Sequence, residues 1–424
     1  MKDVIKRSGI RVGFDEHKIR LAVSRAYKEK EAEYGHSIPH AEEQINEIVT
    51  KVCEELASCS ENVLKIEDIQ DIVETTIMDY RKDVAQAYIR YRYEHNLIRD
   101  KYNAFMDKVK DKIVANNIQN QNANVDEGSF GGRKGEAANI LMKQFALDYC
   151  MSEMAKKNHL NNEIYIHDLD SYAIGCHNCL TIPFDDLLAN GFNTRQVDIR
   201  PANSINTAFQ LVAVIFQLQS LQQFGGVSAG HLDWTMVPYV RKSFSKHMKE
   251  ALRYVEECDC EEYINSVPSE LRFDDKEAND PIHAKAYKYA MDMTVKETQQ
   301  AVEGMYHNLN SLQSRSGNQL PFTSINYGTC TLPEGRLVIK ALLEGSIKGV
   351  GKLHKTSIFP CGIFQCMNGV NRKEGDPNYD LFKLAIQSTA KRLYPNYANC
   401  NWSGNEGYDE NDPRTIFSTM GLVV

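Results

Sequence analysis

The chain has 424 residues, of which 42% are hydrophobic and 25% charged, the balance of an ordinary globular protein with enough chain for two or three domains. A net charge of −8 and a pI near 5.9 exclude a broad nucleic-acid surface, which needs clustered excess Lys and Arg. The amino terminus MKDVIKRSGIRVG has no apolar core of signal-peptide length, and the longest unbroken apolar run is residues 211–216, far short of a membrane span. A cytoplasmic protein with no membrane and no direct nucleic-acid partner is expected. Its eleven cysteines are then reduced, and serve as core residues, metal ligands or redox-active thiols.

Residues 1–14, MKDVIKRSGIRVGF, alternate apolar and basic side chains around Ser8-Gly9, which predicts a small hairpin with glycine supplying the turn. Asp15 then caps a helix whose apolar face is Ile19, Ala22, Val23 and Ala26. Further helical stripes follow at Ile45, Ile48, Val49, Val52 and Leu56, at Ile66, Ile69, Val73 and Ile77, and from Val84 to about Arg99. Together they predict an α+β module over residues 1–99. The hairpin carries Lys6, Arg7 and Arg11, and Lys18 lies in the first turn of the helix. Fixed cations beside the free N–H groups of a helix start suit a triphosphate; a solvated basic face is the alternative.

Residues 100–136 begin helical and turn polar, ending NNIQNQNANVDEGSFGGRKGE, as a linker or long loop does. Within it, Gly131-Gly132-Arg133-Lys134-Gly135 suits a phosphate-approaching loop or a flexible connector. Helical spacing resumes over 137–157 through Ile140, Leu141, Phe145, Leu147, Tyr149 and Met151, and leads into YIHDLDSYAIGCHNC at 165–179. A short β-branched segment (Ile164, Ile166), an acidic turn (Asp168, Asp170) and two cysteines three apart read there as a strand whose loop presents sulfur at a pocket mouth. Cys176 and Cys179 are also half of a zinc knuckle. No second matching pair follows, Cys258-Asp259-Cys260 being spaced differently, and no metal site is assigned.

Residues 208–224 predict a strongly apolar helix with a broad face of Leu211, Val214, Ile215, Leu218 and Leu221, closed by Gly225-Gly226. Such a face suits a core or a subunit interface. Residues 230–315 read as mostly helical, with an acidic segment over 256–280 that puts Cys258 and Cys260 on the surface. PFTSINYGTCT (321–331) and KTSIFPCGIF (355–364) each read as a buried strand running into a loop, with a helix over 336–347 between them. Strand, helix, strand at this spacing predicts a parallel α/β arrangement, in which ligands gather at the carboxyl ends of the strands.

Two sets of strings carry a family resemblance. Val4-Ile5-Lys6-Arg7-Ser8-Gly9, Phe14-Asp15, Lys18-Ile19 and the closing VAQAYIRYR at 84–92 resemble the ATP-cone, the nucleotide-sensing domain at the start of many ribonucleotide reductases, found also in a transcriptional repressor of the same pathway. The resemblance implies ATP and dATP as allosteric effectors, held by Lys6, Arg7 and Lys18. IYIHDLD, PFTSINYGT, PEGR, KTSIFP, GDPNYD, KRLYPNY and DPRTIFSTMG, in that order, resemble the anaerobic (class III) ribonucleoside-triphosphate reductases almost to the last residue. They imply an α/β fold: the α+β cone at 1–99, a helix and polar linker at 100–136, and over 137–424 the first half of a ten-stranded glycyl-radical-enzyme α/β barrel.

In that family a radical S-adenosylmethionine activating enzyme makes a backbone glycyl radical, which oxidises a cysteine on a loop inside the barrel. The thiyl radical takes the ribose 3′-hydrogen, the 2′-hydroxyl leaves as water, and formate or a thiol system supplies reducing equivalents. A barrel isolates radicals from solvent and fixes donor and substrate within reach. Asn178-Cys179 match the family's first-strand cysteine, which takes part in reduction at the 2′ carbon; Cys176 is extra to that match. The resemblance further implies ribonucleoside triphosphate substrates and a homodimer.

The end departs from the pattern. Family members follow Met-Gly with the radical-carrying cysteine and an arginine, whereas Met420-Gly421 here precede Leu422-Val423-Val424. The expectation is a truncated large subunit that lacks the radical cysteine, the second barrel half, the cysteine-quartet zinc site and the glycyl-radical loop, and is inactive by itself. Two alternatives stand beside it: a non-catalytic nucleotide-binding regulatory protein that keeps the cone, and a zinc or thiol redox protein using Cys176 and Cys179.

Overall fold

The computed structural model of the chain describes all residues except 1, 7–9, 115–128, 176, 224, 277–279, 316–318, 403–406, 408, 410 and 421–424. The chain divides into two units, 1–109 and 110–424.

In the first unit the amino-terminal alternation gives β1 (Asp3–Ile5) and β2 (Arg11–Gly13), paired antiparallel with Val4 opposite Val12. The predicted turn at Ser8-Gly9 lies outside the described residues. Helix α1 (Glu16–Tyr34) starts where Asp15 accepts the N–H of His17 and ends at Gly35 in the left-handed region. Then come α2 (Ala41–Ser58), β3 (Val63–Lys65), α3 (Ile66–Tyr80) and α4 (Lys82–Ile113). Strand β3 pairs parallel with β1, giving the order β2-β1-β3; no periodicity announces this three-residue strand. The predicted stripes meet in one core, with Ile19 and Val23 against Ile48 and Val52, Ile69 and Ile77, and Val84 and Tyr88.

The second unit opens with α5 (Phe130–Phe145), α6 (Glu153–Leu160) and the short α7 (Leu169–Tyr172). Two expectations are corrected here. The helix predicted over 137–157 is broken by a π-helical turn (Ala146–Cys150) and restarts where Ser152 accepts the N–H of Ala155. The glycine-rich run 131–135 is no loop: Ser129 caps α5 by accepting the N–H of Gly132, and the run forms the first turns of that helix.

The remaining elements, in order, are β4 (Leu180–Thr181), α8 (Phe184–Asn190), β5 (Phe192–Asn193), β6 (Asp198–Ile199), α9 (Ile205–Ser220), β7 (Val227–Ala229), α10 (Leu232–Thr235), α11 (Val237–Tyr254), α12 (Glu261–Ser266), α13 (Ala284–Leu309), β8 (Thr323–Tyr327), α14 (Pro333–Lys348), β9 (Cys361–Cys366), α15 (Tyr379–Arg392) and β10 (Asn396–Asn399). Strands β5 and β6 pair with each other. The other five form one all-parallel sheet in the order β10-β9-β8-β7-β4, so each new strand joins the same edge. A partial parallel sheet with helical crossovers is consistent with half of the α/β barrel the sequence implies.

The two faces of this sheet differ. Val227, Ala229, Ile325, Tyr327 and Phe364 alternate toward the helices and share one core with α9, α11, α13, α14 and α15. Ser228, Ser324, Asn326 and Gln365 take the opposite face and are also buried. Parallel sheets covered on both sides normally read as apolar on both, so a buried polar face marks a surface with another purpose. Helix α9 is a core helix by a face that only overlaps the predicted one: Ile215 is buried and Leu211 packs against the core, Ile205, Phe209, Val212 and Phe216 join them, while Leu218 and Leu221 are exposed. Among the described residues no helix is long and apolar enough to cross a membrane.

Candidate functional site

Cys179 lies immediately ahead of β4, whose place in the sheet is fixed by Leu180 N–H donating to Gly226 O at 3.0 Å and Ile182 N–H to Ser228 O at 2.9 Å. The thiol is exposed, accepts the Gly226 N–H at 3.4 Å and stands 3.7 Å from Asn178 Oδ1. Behind it the buried Gln223 donates through Nε2 to Asn178 O at 3.1 Å and Gly226 O at 2.9 Å, and accepts from Gln219 at 2.7 Å. Gly225 is required at this approach, since a Cβ there would stand 1.9 Å from Asn178 O. The strand expected at Ile164 and Ile166 does not form; Tyr165 is exposed and α7 follows. Cys179 therefore begins a strand instead of ending one. Cys176 lies outside the described residues.

On the polar face, residues 417–419 cross β8 and β9. Asn326 Nδ2 donates to Thr419 O at 2.9 Å and its Oδ1 accepts the Thr419 N–H at 3.1 Å. Gln365 Nε2 donates to Phe417 O at 2.8 Å and to Gly230 O at 3.3 Å. Ser418 and Thr181 flank Gly230, their Oγ and Cγ2 lying 3.3 and 3.6 Å from where a Cβ there would stand. Since Thr181 is two residues beyond Cys179, this contact links the segment to the cysteine's strand. Burial pushes the thiols of Cys330, Cys361 and Cys366 upward, and that of Cys400 up to about 12, which keeps them protonated and inert. Among the described cysteines at the strands of this sheet, Cys179 is the exposed one.

Beyond β7, His231 Nε2 donates to Asp185 Oδ2 at 2.7 Å and Thr235 Oγ1 to Asp185 Oδ1 at 2.6 Å. The pair borders a cavity of about 450 Å³ shared with Trp234, Lys242, Asp412 and Arg414. Burial works against a charged His231, yet its bond to Asp185 raises its pKa on balance. The sequence offered no signal for this pair.

In the first unit, Lys6 stands exposed after β1 and its N–H closes the hairpin on Ile10 O at 2.9 Å. Lys18 is exposed in the first turn of α1, 3.6 Å from Asp15. Arg7 lies outside the described residues. Arg11 is paired to Asp3 at 2.7 Å, and Lys2 closes the end of α2 by donating to Leu56 O and Cys59 O. Among the described residues no group of three His, Cys, Asp or Glu is placed to hold a metal ion.

Residues 121–421 match the family model for anaerobic ribonucleoside-triphosphate reductase and residues 2–97 that for the ATP cone domain. The chain belongs to the anaerobic ribonucleoside-triphosphate reductase family. It is 31% identical over 404 residues to the anaerobic ribonucleoside-triphosphate reductase of Haemophilus influenzae, covering 93% of this chain and 52% of the relative. With the Escherichia coli protein of the same name it shares 30% over 400 residues, 93% of this chain and 51% of the relative. The chain thus spans about half the length of the curated relatives it matches. A solved anaerobic ribonucleotide reductase from Thermotoga maritima, in complex with dATP and CTP, superposes with a TM-score of 0.44 at 13% identity over 74% of this chain and 51% of that one.

Several strings that carry the reductase resemblance are structural in this fold. Arg336 of PEGR donates to Pro377 O, to Asn378 Oδ1 at 2.7 Å and to Asp380 at 2.8 Å, so it binds the GDPNYD segment. Asn378 in turn donates to Gly328 O and Cys330 O, at 3.1 and 2.9 Å, holding the turn that leaves β8. That turn needs Gly328, whose φ is +130° and whose Cβ would crowd the Gln365 backbone at 3.1 Å. Arg392 of KRLYPNY donates to Ile347 O at the end of α14 and to His354 O in the loop beyond it. In the cone, Arg92 of VAQAYIRYR meets Glu67, Asp71 and Glu74, tying α4 to α3.

Proposed function

We propose that this chain supplies the regulatory cone and first barrel half of an anaerobic ribonucleoside-triphosphate reductase, a cytoplasmic enzyme converting ribonucleoside triphosphates to deoxyribonucleoside triphosphates. The observation that carries the reading is Cys179, an exposed thiol braced by Gln223 and Gly226 at a sheet with a polar face, in a chain matched by both family models. Residues 1–99 serve as the allosteric domain, 100–136 as helix and linker, and 137–424 as barrel. A glycyl radical, raised by a radical S-adenosylmethionine activating enzyme, supplies the unpaired electron when present. This chain's own residues bind and orient: Cys179 gives hydrogen toward the ribose 2′ carbon, Asn178 fixes the thiol, and a homodimer is the working assembly. In the reductase containing this chain, Cys179→Ala should abolish conversion of CTP to dCTP while CTP affinity stays within about threefold. Undiminished dCTP formation would sink the assignment.

In the cone, Lys6, Arg7 and Lys18 hold the phosphates of ATP or dATP. Both nucleotides should bind with micromolar-range affinity, about −8 kcal/mol. Replacing Lys6 and Arg7 together by Ala should remove most of it, because each charge-assisted bond contributes roughly 1.5–3 kcal/mol. Unchanged calorimetric binding in the double variant removes those residues from the site.

For the chain taken by itself, Leu422 favours a second reading, nucleotide binding without reduction. It stands where the resemblance expects the radical-carrying cysteine, and a leucine side chain can neither hold nor relay an unpaired electron. Incubated anaerobically with an activating enzyme, S-adenosylmethionine, formate, ATP and CTP, the purified chain should form no dCTP. Formation above a no-enzyme control returns it to the first reading.

A further inference from the structure

The segment 417–419 crosses the polar face of the sheet without joining it as a strand. Its main-chain groups are met by side chains instead. Asn326, fully buried at the penultimate position of β8, donates to Thr419 C=O at 2.9 Å and accepts from Thr419 N–H at 3.1 Å. A primary amide facing one residue in this way offers it both bonds that a neighbouring strand would. Two residues earlier, Phe417 C=O takes the 2.8 Å bond from Gln365, which occupies the penultimate position of β9. Ser418, between the two anchors, packs on Gly230, which has no side chain to hold it off. Neither residue is needed for the sheet's own ladder, and at both positions a parallel strand would ordinarily carry an apolar side chain.

We infer that Asn326 is a positioning residue, with Gln365 as its second anchor, that fixes where segment 417–419 crosses the sheet and so what it presents to a molecule lying on that face. The inference rests on the reading in which a ribonucleotide is reduced on that face. The Asn326 amide supplies both the donor and the acceptor that Thr419 needs. Leucine leaves them buried without partners, and aspartate accepts the N–H but sets a second oxygen against the C=O. The face also keeps polar capacity in reserve: Gln365 Oε1 and Ser324 Oγ are buried and have no partner among the described residues, which points to water or a polar ligand there in addition to the segment.

The competing account is that Asn326 merely ties β8 to β7, since its amide also donates to Ala229 O at 3.0 Å and Ser228 Oγ at 3.2 Å. Hydrogen exchange on the full chain separates the two. In Asn326→Ala, exchange of residues 416–420 should quicken by about tenfold or more, the change expected from losing a buried hydrogen-bonded pair, with the β8 peptide unchanged. Ser228→Ala should leave 416–420 as in the parent, and Asn326→Asp should fall between parent and alanine. Unchanged protection of 416–420 in Asn326→Ala, or equal loosening of β8, overturns the inference. If the alanine variant does not fold, Asn326→Asp and Gln365→Met are judged by the same two peptides. In the reductase, a freed segment should lower kcat for CTP while KM stays within about twofold; full kcat with a freed segment also overturns it. Exchange is read without substrate, so an intact clamp in an enzyme that forms no dCTP counts against the proposed function alone.

Discussion

Asp233 has no solvent at all, and its carboxylate is held entirely by the main chain: Oδ2 accepts the N–H groups of Gly328 and Cys330, both at 2.9 Å, and Oδ1 that of Trp234 at 3.1 Å. Burial pushes its pKa up, while these amides and His231 pull the other way. The residue is the buried end of the clamp that Asn378 and Arg336 build on the β8 exit turn. Asp233→Ala leaves two enclosed amides without acceptors, each costing about 1–3 kcal/mol, so a loss of roughly 2–6 kcal/mol is expected in urea unfolding. A loss below about 1 kcal/mol would mean that the turn finds other partners. Such residues were not legible in the sequence. Gln223, Asn326 and Asp233 act on partners 45, 93 and 95 positions away, and each looks locally like an ordinary polar residue at a helix or strand end. Cys179 stands out as one of two cysteines three apart in a loop, and its role in reduction comes from the resemblance of its string, not from any periodicity.

Among elements, what the sequence disclosed was set by local physics. The hairpin, the cone helices, α14 and the strands β8 and β9 follow from alternation, caps and apolar spacing. The failures come where tertiary contacts override spacing. Helix α9 is apolar nearly all round, so its stripe could not say which side the sheet takes, and Leu218 and Leu221 end on the outside. The Ile164–Ile166 pair had β-branched residues but no neighbour strand to join. One interhelical device was invisible: His247 on α11, almost fully buried, donates to Glu297 of α13 at 2.8 Å and meets Glu250 at 3.1 Å, with Ser243 and Lys246 also acting on Glu297. Burial lowers the pKa of His247, but these carboxylates raise it on balance, and that of Glu297 is depressed. A raised histidine stabilises fully below its unfolded pKa of about 6.5 and loses that contribution as pH climbs through the folded value. A depressed glutamate stabilises above its unfolded value of about 4.3 and loses that as pH falls. Stability from this triad should therefore be greatest between about pH 4.5 and 6.5 and decline as the pH rises from there through the raised folded value of His247. Denaturant midpoints should show the alkaline decline in the parent and a shallower one in His247→Gln; parallel slopes in both proteins would exclude His247 as a source.

At the scale of the molecule, the two family matches fall on two units that each close a core of their own. One cluster is built from residues between Val4 and Tyr88, the other from residues between Phe184 and Ala385. Their separate identities were legible because a cone string and a reductase string each recur in order, whereas the sheet's polar face was not, since no single strand of three to six residues reveals which neighbours its polar side chains will meet. Two cores should give two cooperative transitions on heating, and an effector that binds the cone should act on one of them. At a dATP concentration about a hundredfold above Kd, binding adds about 2.7 kcal/mol to the unit that holds it. For a unit of about one hundred residues each kcal/mol moves the midpoint by roughly 4–8 °C, so the cone's transition should rise by about 10 °C or more. The transition of residues 110–424 should stay in place, and Lys6→Ala with Arg7→Ala should cancel most of the cone's shift. Calorimetry in which dATP moves the larger unit and leaves the smaller one where it was would put the nucleotide outside the cone, and with it the role of Lys6, Arg7 and Lys18.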